Sequence, residues 1–158
     1  MIRLTGKAGT AGPVDALLTL PLESRIKSRQ RVTLDNGREA GIFLQRGATL
    51  KDGDQLCAED GYRVQIKAAE EALSMVISDD SHLLSRACYH LGNRHVMVQI
   101  GKDRVSYLHD HVLDQMLRGL GLEVIVTSAP FEPEPGAYGG SAHRHSHDHD
   151  HDHGQRRG

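Results

Sequence analysis

Eleven histidines stand in a chain of 158 residues, and six of them fall between positions 143 and 153. The stretch runs His143, His145, His147, His149, His151 and His153, with Arg144 and Ser146 early and Asp148, Asp150 and Asp152 late. Neutral imidazole binds nickel, cobalt, zinc and copper, with affinity at a given site rising toward copper. Alternate spacing lets a chain wrap two or three imidazoles around one ion, while the interleaved carboxylates add negative charge and occasional oxygen ligands. Nothing rigid selects among the metals, so Ni(II), Zn(II), Cu(II) and Co(II) are expected to compete there. The bland alternative is a solubilising tail or a purification tag. A tag is usually an unbroken run, and this stretch is not.

A second cluster is His109-Asp110-His111, where a strand pattern gives way to a helix pattern. Residues two apart do not share a face of a regular helix, but in an extended segment they share a side. The outcome depends on where the helix begins. The competing reading makes both histidines surface residues and Asp110 the helix cap. His95 follows Gly92-Asn93-Arg94 at the mouth of a strand and by itself says little, since a lone histidine is more often a hydrogen-bonded surface residue than a ligand. His82 and His90 fall on a helix and read as structural. Cys57 and Cys88 stand alone, with no CxxC pair, and read as small buried hydrophobes.

The elements that position these residues fall into two groups. Val14 to Leu20, Arg31 to Leu34, Ala40 to Leu44 and Gly61 to Ile66 read as strands, with turns at Asp35-Asn36-Gly37 and Lys51-Asp52-Gly53-Asp54. Asn-Gly is the preferred centre of a two-residue hairpin because both positions tolerate positive φ. Leu73 to Ser78 is a further strand, and Asp79-Asp80-Ser81 supplies caps for a helix carrying Leu84, Cys88 and Leu91, closed by Gly92 at C′. Val96 to Ile100 and Arg104 to Leu108 read as strands. A second helix carries Val112, Leu113, Met116, Leu117 and Leu120 and stops at Gly121, before a strand from Glu123 to Thr127. The order β-α-β-β-α-β is that of a ferredoxin-like sandwich. The expected class is α+β: a small all-β domain over 1–68, a ferredoxin-like domain over 69–135, and an unstructured His-rich tail over 136–158, where Pro and Gly replace the apolar pattern. The link near Lys67 to Glu71 is short and could begin a helical turn.

Composition excludes several classes of function. A formal net charge of -2 and six aromatics without a Trp offer neither a field for phosphates nor a platform for bases. Arg25, Arg29, Arg31, Arg38 and Arg46 make the first module locally basic and read as a solvated face. No run of 18 apolar residues exists to span a membrane. The run Ala16 to Leu20 is too short for a signal sequence. The expected location is therefore the cytoplasm.

Several motifs in order make the chain similar to the UreE family of urease accessory proteins. They are Gly92-Asn93-Arg94-His95 before Val96-Met97-Val98-Gln99, and His109-Asp110-His111 before Val112-Leu113-Asp114-Gln115-Met116-Leu117. Ser28-Arg29-Gln30-Arg31, Asp35-Asn36-Gly37-Arg38, Arg46-Gly47 and Gly53-Asp54 agree in the first module. The resemblance covers roughly 14–129, and a His-rich end is a frequent addition in that family. It implies a homodimeric nickel metallochaperone, not an enzyme, carrying Ni(II) as cargo to apo-urease through an accessory GTPase and other maturation proteins. It implies further that His95 from each subunit binds one shared ion, that tail histidines complete the shell, and that His109 and His111 form an auxiliary peripheral pair. The first domain would be a peptide-binding module.

Three rival readings remain. A passive histidine-rich nickel or zinc buffer would need only the tail. A zinc hydrolase would need His95, His109 and His111 around one ion with a base beside it. A nucleic-acid-binding sandwich would want exposed aromatics on its sheet, where residues 95–108 offer only Tyr107.

Overall fold

Alternating apolar residues in the first half build one sheet, and the switch to helical spacing near residue 80 marks a second unit. The computed structural model describes residues 1–136. The expected His-rich tail beyond Gly136, with all six of its histidines, lies outside the described residues.

The first sheet holds β1 (Ile2–Lys7), β2 (Ala16–Leu20), β3 (Arg29–Thr33), β4 (Glu39–Phe43), β5 (Gln55–Ala58) and β6 (Arg63–Ala68), in the order β2-β6-β5-β1-β4-β3. β1 lies inside it, parallel to β4 and antiparallel to β5. Period-two placement sends Leu4, Leu18, Ile42, Leu56, Val64 and Ile66 into one core. Neither β1 nor β5 was expected, because Leu4 and Leu56 are the one fully buried apolar side chain of each. Ile2 and Ala58 share that core only in part, so each strand shows one short, incomplete alternation.

The β3–β4 hairpin differs from the expected two-residue turn. Leu34 N donates to Arg38 O and Gly37 N to Leu34 O, which encloses a three-residue loop. Only Gly37 has positive φ, at 87°, so Asn36 is not in the left-handed region. Asn36 Oδ1 instead accepts from Arg38 N at 3.0 Å. This is a type I turn followed by a glycine bulge.

The second unit runs β7 (Glu70–Ile77), α2 (Ser81–Asn93), β8 (Gln99–Ile100), β9 (Arg104–Leu108), α3 (His111–Gly119) and β10 (Ile125–Pro130). Its sheet order is β10-β7-β9-β8, with every neighbour antiparallel. Both helices lay an apolar stripe on it: Leu84, Ala87 and Leu91 from α2, and Leu113 and Leu117 from α3, against Val76, Val105 and Tyr107. Asp80 and Asp110 cap the two helices, each accepting from two backbone N–H groups. Gly121, with φ of 95°, ends the second as expected. β8 is only two residues long, for Val96 and Val98 pack on the core without joining the ladder.

Between the units stands Ala69 alone, so the link is extended and begins no helical turn. A one-turn helix, α1 (Leu22–Arg25), brings Arg25 into the junction. Arg25 is 1% exposed, so it does not belong to the solvated basic face expected for it. Its guanidinium donates to the carbonyls of Leu20 and Phe131 and pairs with Glu132 at 3.4 Å. Leu22, Leu73 and Phe131 close a small apolar cluster beside it. Beyond β10, Phe131 is wholly buried in this cluster.

Candidate metal centre

β9 ends at Leu108, and the chain turns once before α3 begins at His111. His109 N donates to Ala72 O on β7, which keeps the residue at the sheet's end. Asp110 is extended, with φ of -151° and ψ of 121°, and its carboxylate accepts from Val112 N at 2.8 Å and Leu113 N at 3.1 Å. The cap and the shared side expected of this triplet are therefore both present, with His109 half-buried and His111 exposed. Asp110 is the cap, and because a cap is extended, the flanking histidines fall on one side. Their ring centroids are 4.8 Å apart at 74°.

Beneath His109 lies a polar network. Ser74 on β7 is the direct cross-strand partner of Tyr107 on β9. The Tyr107 hydroxyl donates to Asp114 Oδ1 at 2.6 Å. Asp114 Oδ2 lies 3.2 Å from His109 Nδ1, which is also 3.0 Å from Ser74 Oγ. Ser74 and Tyr107 are wholly buried and Asp114 is 1% exposed, whereas His109 is half-buried and His111 open to solvent. Burial pushes the Asp114 carboxyl up, but hydrogen bonds from Ser74 and Tyr107 and the charges of His109 and Arg118 outweigh it and hold the group below the usual range. Burial first, then the Asp114 bond and charge, pushes the Tyr107 hydroxyl well above its ordinary value.

Ligand-type atoms of His109, His111 and Asp114 lie within 4.8 Å of one another, the one such group of three among the described residues. Ser74 was not named from the sequence, and Tyr107 and Asp114 were named there without a role in the site. A signal was present: Asp114 follows Leu113 and precedes Leu117 by one turn, so an acid sits on the helix's buried stripe. Such an acid needs partners inside the protein.

His95 is exposed and lies outside that group, so a three-histidine zinc site is not assembled within the described residues. Its backbone is the unusual part. Helix α2 runs through Gly92, which was expected at C′, to Asn93, and Arg94 is the cap. His95 itself takes C′ with φ of 57°, the one positive-φ residue other than glycine among those described. Val96 N donates to Leu91 O and His95 N to Gly92 O, the paired bonds of a Schellman ending. Val96 packs in the cluster that includes Leu91, which locks the ending. Gly92 is left exposed inside the helix with open space around it.

The remaining expected residues are unremarkable in place. His82 is exposed and His90 half-buried, its ring edge-on to Tyr89. Cys57 and Cys88 are free and half-buried rather than buried. A hollow of about 780 Å³ lies on the first module among Arg3, Arg31, Arg38, Glu39, Glu59 and Asp60, and no histidine lines it. Among the described residues no helix is long and apolar enough to cross a membrane.

Comparison with known proteins fits this two-part anatomy. Residues 2–69 match the model for the N-terminal domain of the UreE urease accessory protein, and residues 71–155 match its C-terminal domain. A strand-rich part followed by an α/β part with an imidazole pair thus defines the class, a two-domain urease accessory protein. Among the relatives, the urease accessory protein UreE of Alkalilimnicola ehrlichii is 62% identical over 140 residues, 89% of this chain and 86% of that protein. The UreE proteins of Citrobacter koseri and Proteus mirabilis are 54% and 56% identical, over 90% and 78% of this chain and 95% and 77% of their own lengths. The chain belongs to the UreE family of urease accessory proteins, and its role lies in urease maturation.

Proposed function

We propose that the protein is a cytoplasmic nickel metallochaperone that captures Ni(II) and passes it, through the accessory GTPase, to apo-urease. The observation that carries this reading is His95: an exposed imidazole fixed in a left-handed backbone at a helix end, on a chain of the UreE family. One imidazole cannot hold nickel firmly, and the likeness to the UreE family implies that the second is His95 of a partner copy. Exposed Tyr89, Met97 and Ile100 flank it in sequence and supply apolar surface for a homodimer. A two-imidazole anchor leaves coordination positions open, and a recipient's ligands enter before the first ones leave. A closed four-ligand shell would hold the ion as structural zinc sites do.

In this reading 1–68 docks partners, 69–135 is the ferredoxin-like domain that dimerises and holds metal, and 136–158 collects ions. His143, His145, His147, His149, His151 and His153 raise the local ligand concentration around the anchor. His109 and His111 form an auxiliary pair, where Cu(II), Zn(II) and Co(II) compete with nickel. The test is nickel-dependent activation of apo-urease with purified maturation proteins. His95→Ala should cut activation at limiting nickel by about tenfold or more. Activation equal to the parent's would reject the scheme and favour a passive buffer.

A further inference from the structure

Asp114 is the one buried acid among the described residues, and its carboxylate points at an imidazole. We propose that Asp114 is a positioning residue, not a metal ligand: braced by Tyr107 and Ser74, it holds the proton of His109 on Nδ1 and leaves Nε2 bare for a divalent ion shared with His111. The proposal rests on the reading of His109 and His111 as a metal pair.

The geometry around the carboxylate carries it. A carboxylate only accepts, and Oδ2 lies 3.2 Å from His109 Nδ1, so the proton between them belongs to the ring nitrogen. Oδ1 already takes the Tyr107 hydroxyl at 2.6 Å. To reach an ion, Asp114 would have to leave a site where it is 1% exposed, abandoning the buried Tyr107 hydroxyl. No buried side-chain polar atom lacks a partner among the described residues, so the network is complete as it stands. A ligating histidine commonly donates its other N–H to a carboxylate, which fixes the tautomer and raises ligand basicity. Here the carboxylate is in turn fixed by Tyr107, whose partner across β7 and β9, Ser74, places its Oγ 3.0 Å from the same His109 Nδ1.

Nitrogen-15 NMR of the metal-free full-length chain reads the His109 tautomer directly. The parent should show Nδ1–H with a bare Nε2. Asp114→Asn should move the ring toward Nε2–H, and Tyr107→Phe, which keeps the packing, should do so partially. Cu(II) is then titrated into full-length chains whose tail histidines are glutamine and whose His95 is alanine. Affinity at the pair should fall about 10–100-fold in Asp114→Asn and less in Tyr107→Phe. An Nε2–H ring in the parent, or loss of Cu(II) in Asp114→Asn without a tautomer change, overturns the proposal, the latter by making Asp114 a ligand. The expected tautomers with no Cu(II) bound by the parent pair would uphold the positioning role and overturn the metal reading of His109 and His111 instead.

Discussion

At His95 the demands of stability and of ligand display oppose each other. A left-handed backbone costs an ordinary residue about 1–2 kcal/mol, part of which glycine would lose again through its freer unfolded chain. His95→Gly is therefore expected to stabilise the fold by roughly 0.5–1 kcal/mol in urea unfolding while removing the nickel anchor. Lower stability in that variant would mean the imidazole makes a contact that outweighs the strain. Asp114 works in the other direction. Its carboxyl is held low in the folded state, so its contribution is present above the ordinary aspartate value of about 3.9 and is lost as pH falls through the folded value. Asp114→Asn should cost about 1–3 kcal/mol at neutral pH, and the gap to the parent should close below about pH 4. Chemical denaturation at pH 7, 5 and 3 measures it. A gap that widened in acid would reverse the assigned sign.

Helix α3 couples its own start to the site. Asp110→Ala and Asp80→Ala each remove a cap accepting two N–H bonds, and each should cost about 0.5–2 kcal/mol. Only Asp110→Ala should also weaken metal binding at His109 and His111, because only that cap sets the turn between them. Equal metal binding in both variants would detach the pair from the helix start. Elements with a strong period were legible in the sequence: β7, α2, β9 and α3 follow from apolar spacing and their Asp caps. Those with one short alternation, Ile2 and Leu4 in β1 and Leu56 and Ala58 in β5, were not. The imidazoles were legible as residue types at His95, His109 and His111. Their support was not, since Ser74, Tyr107 and Asp114 are 33 and 7 residues apart along the chain and meet only through the pairing of β7 with β9 and the packing of α3 on them. The left-handed turn at His95 was also hidden, because Gly92 looked the better stop and the paired Schellman bonds fall three residues later.

Across the whole molecule, one buried cation joins the two modules. Arg25 reaches from α1 to Phe131 O and Glu132 after β10, and Glu71 Oε2 accepts from Leu22 N beside it. Arg25→Met should cost about 3–5 kcal/mol and divide a single calorimetric unfolding transition into two, one per module. One undivided transition in the variant would assign the coupling to Leu22, Leu73 and Phe131 instead. The proposed dimer is the larger assembly on which the account turns. Its most direct test is a calorimetric nickel titration of the full-length chain with the six tail histidines replaced by glutamine, with mass in solution determined on the same samples. One tight Ni(II) per two chains, abolished by His95→Ala, is the expected result. A tight site at one ion per chain, or no tight site until the tail histidines are restored, would contradict it.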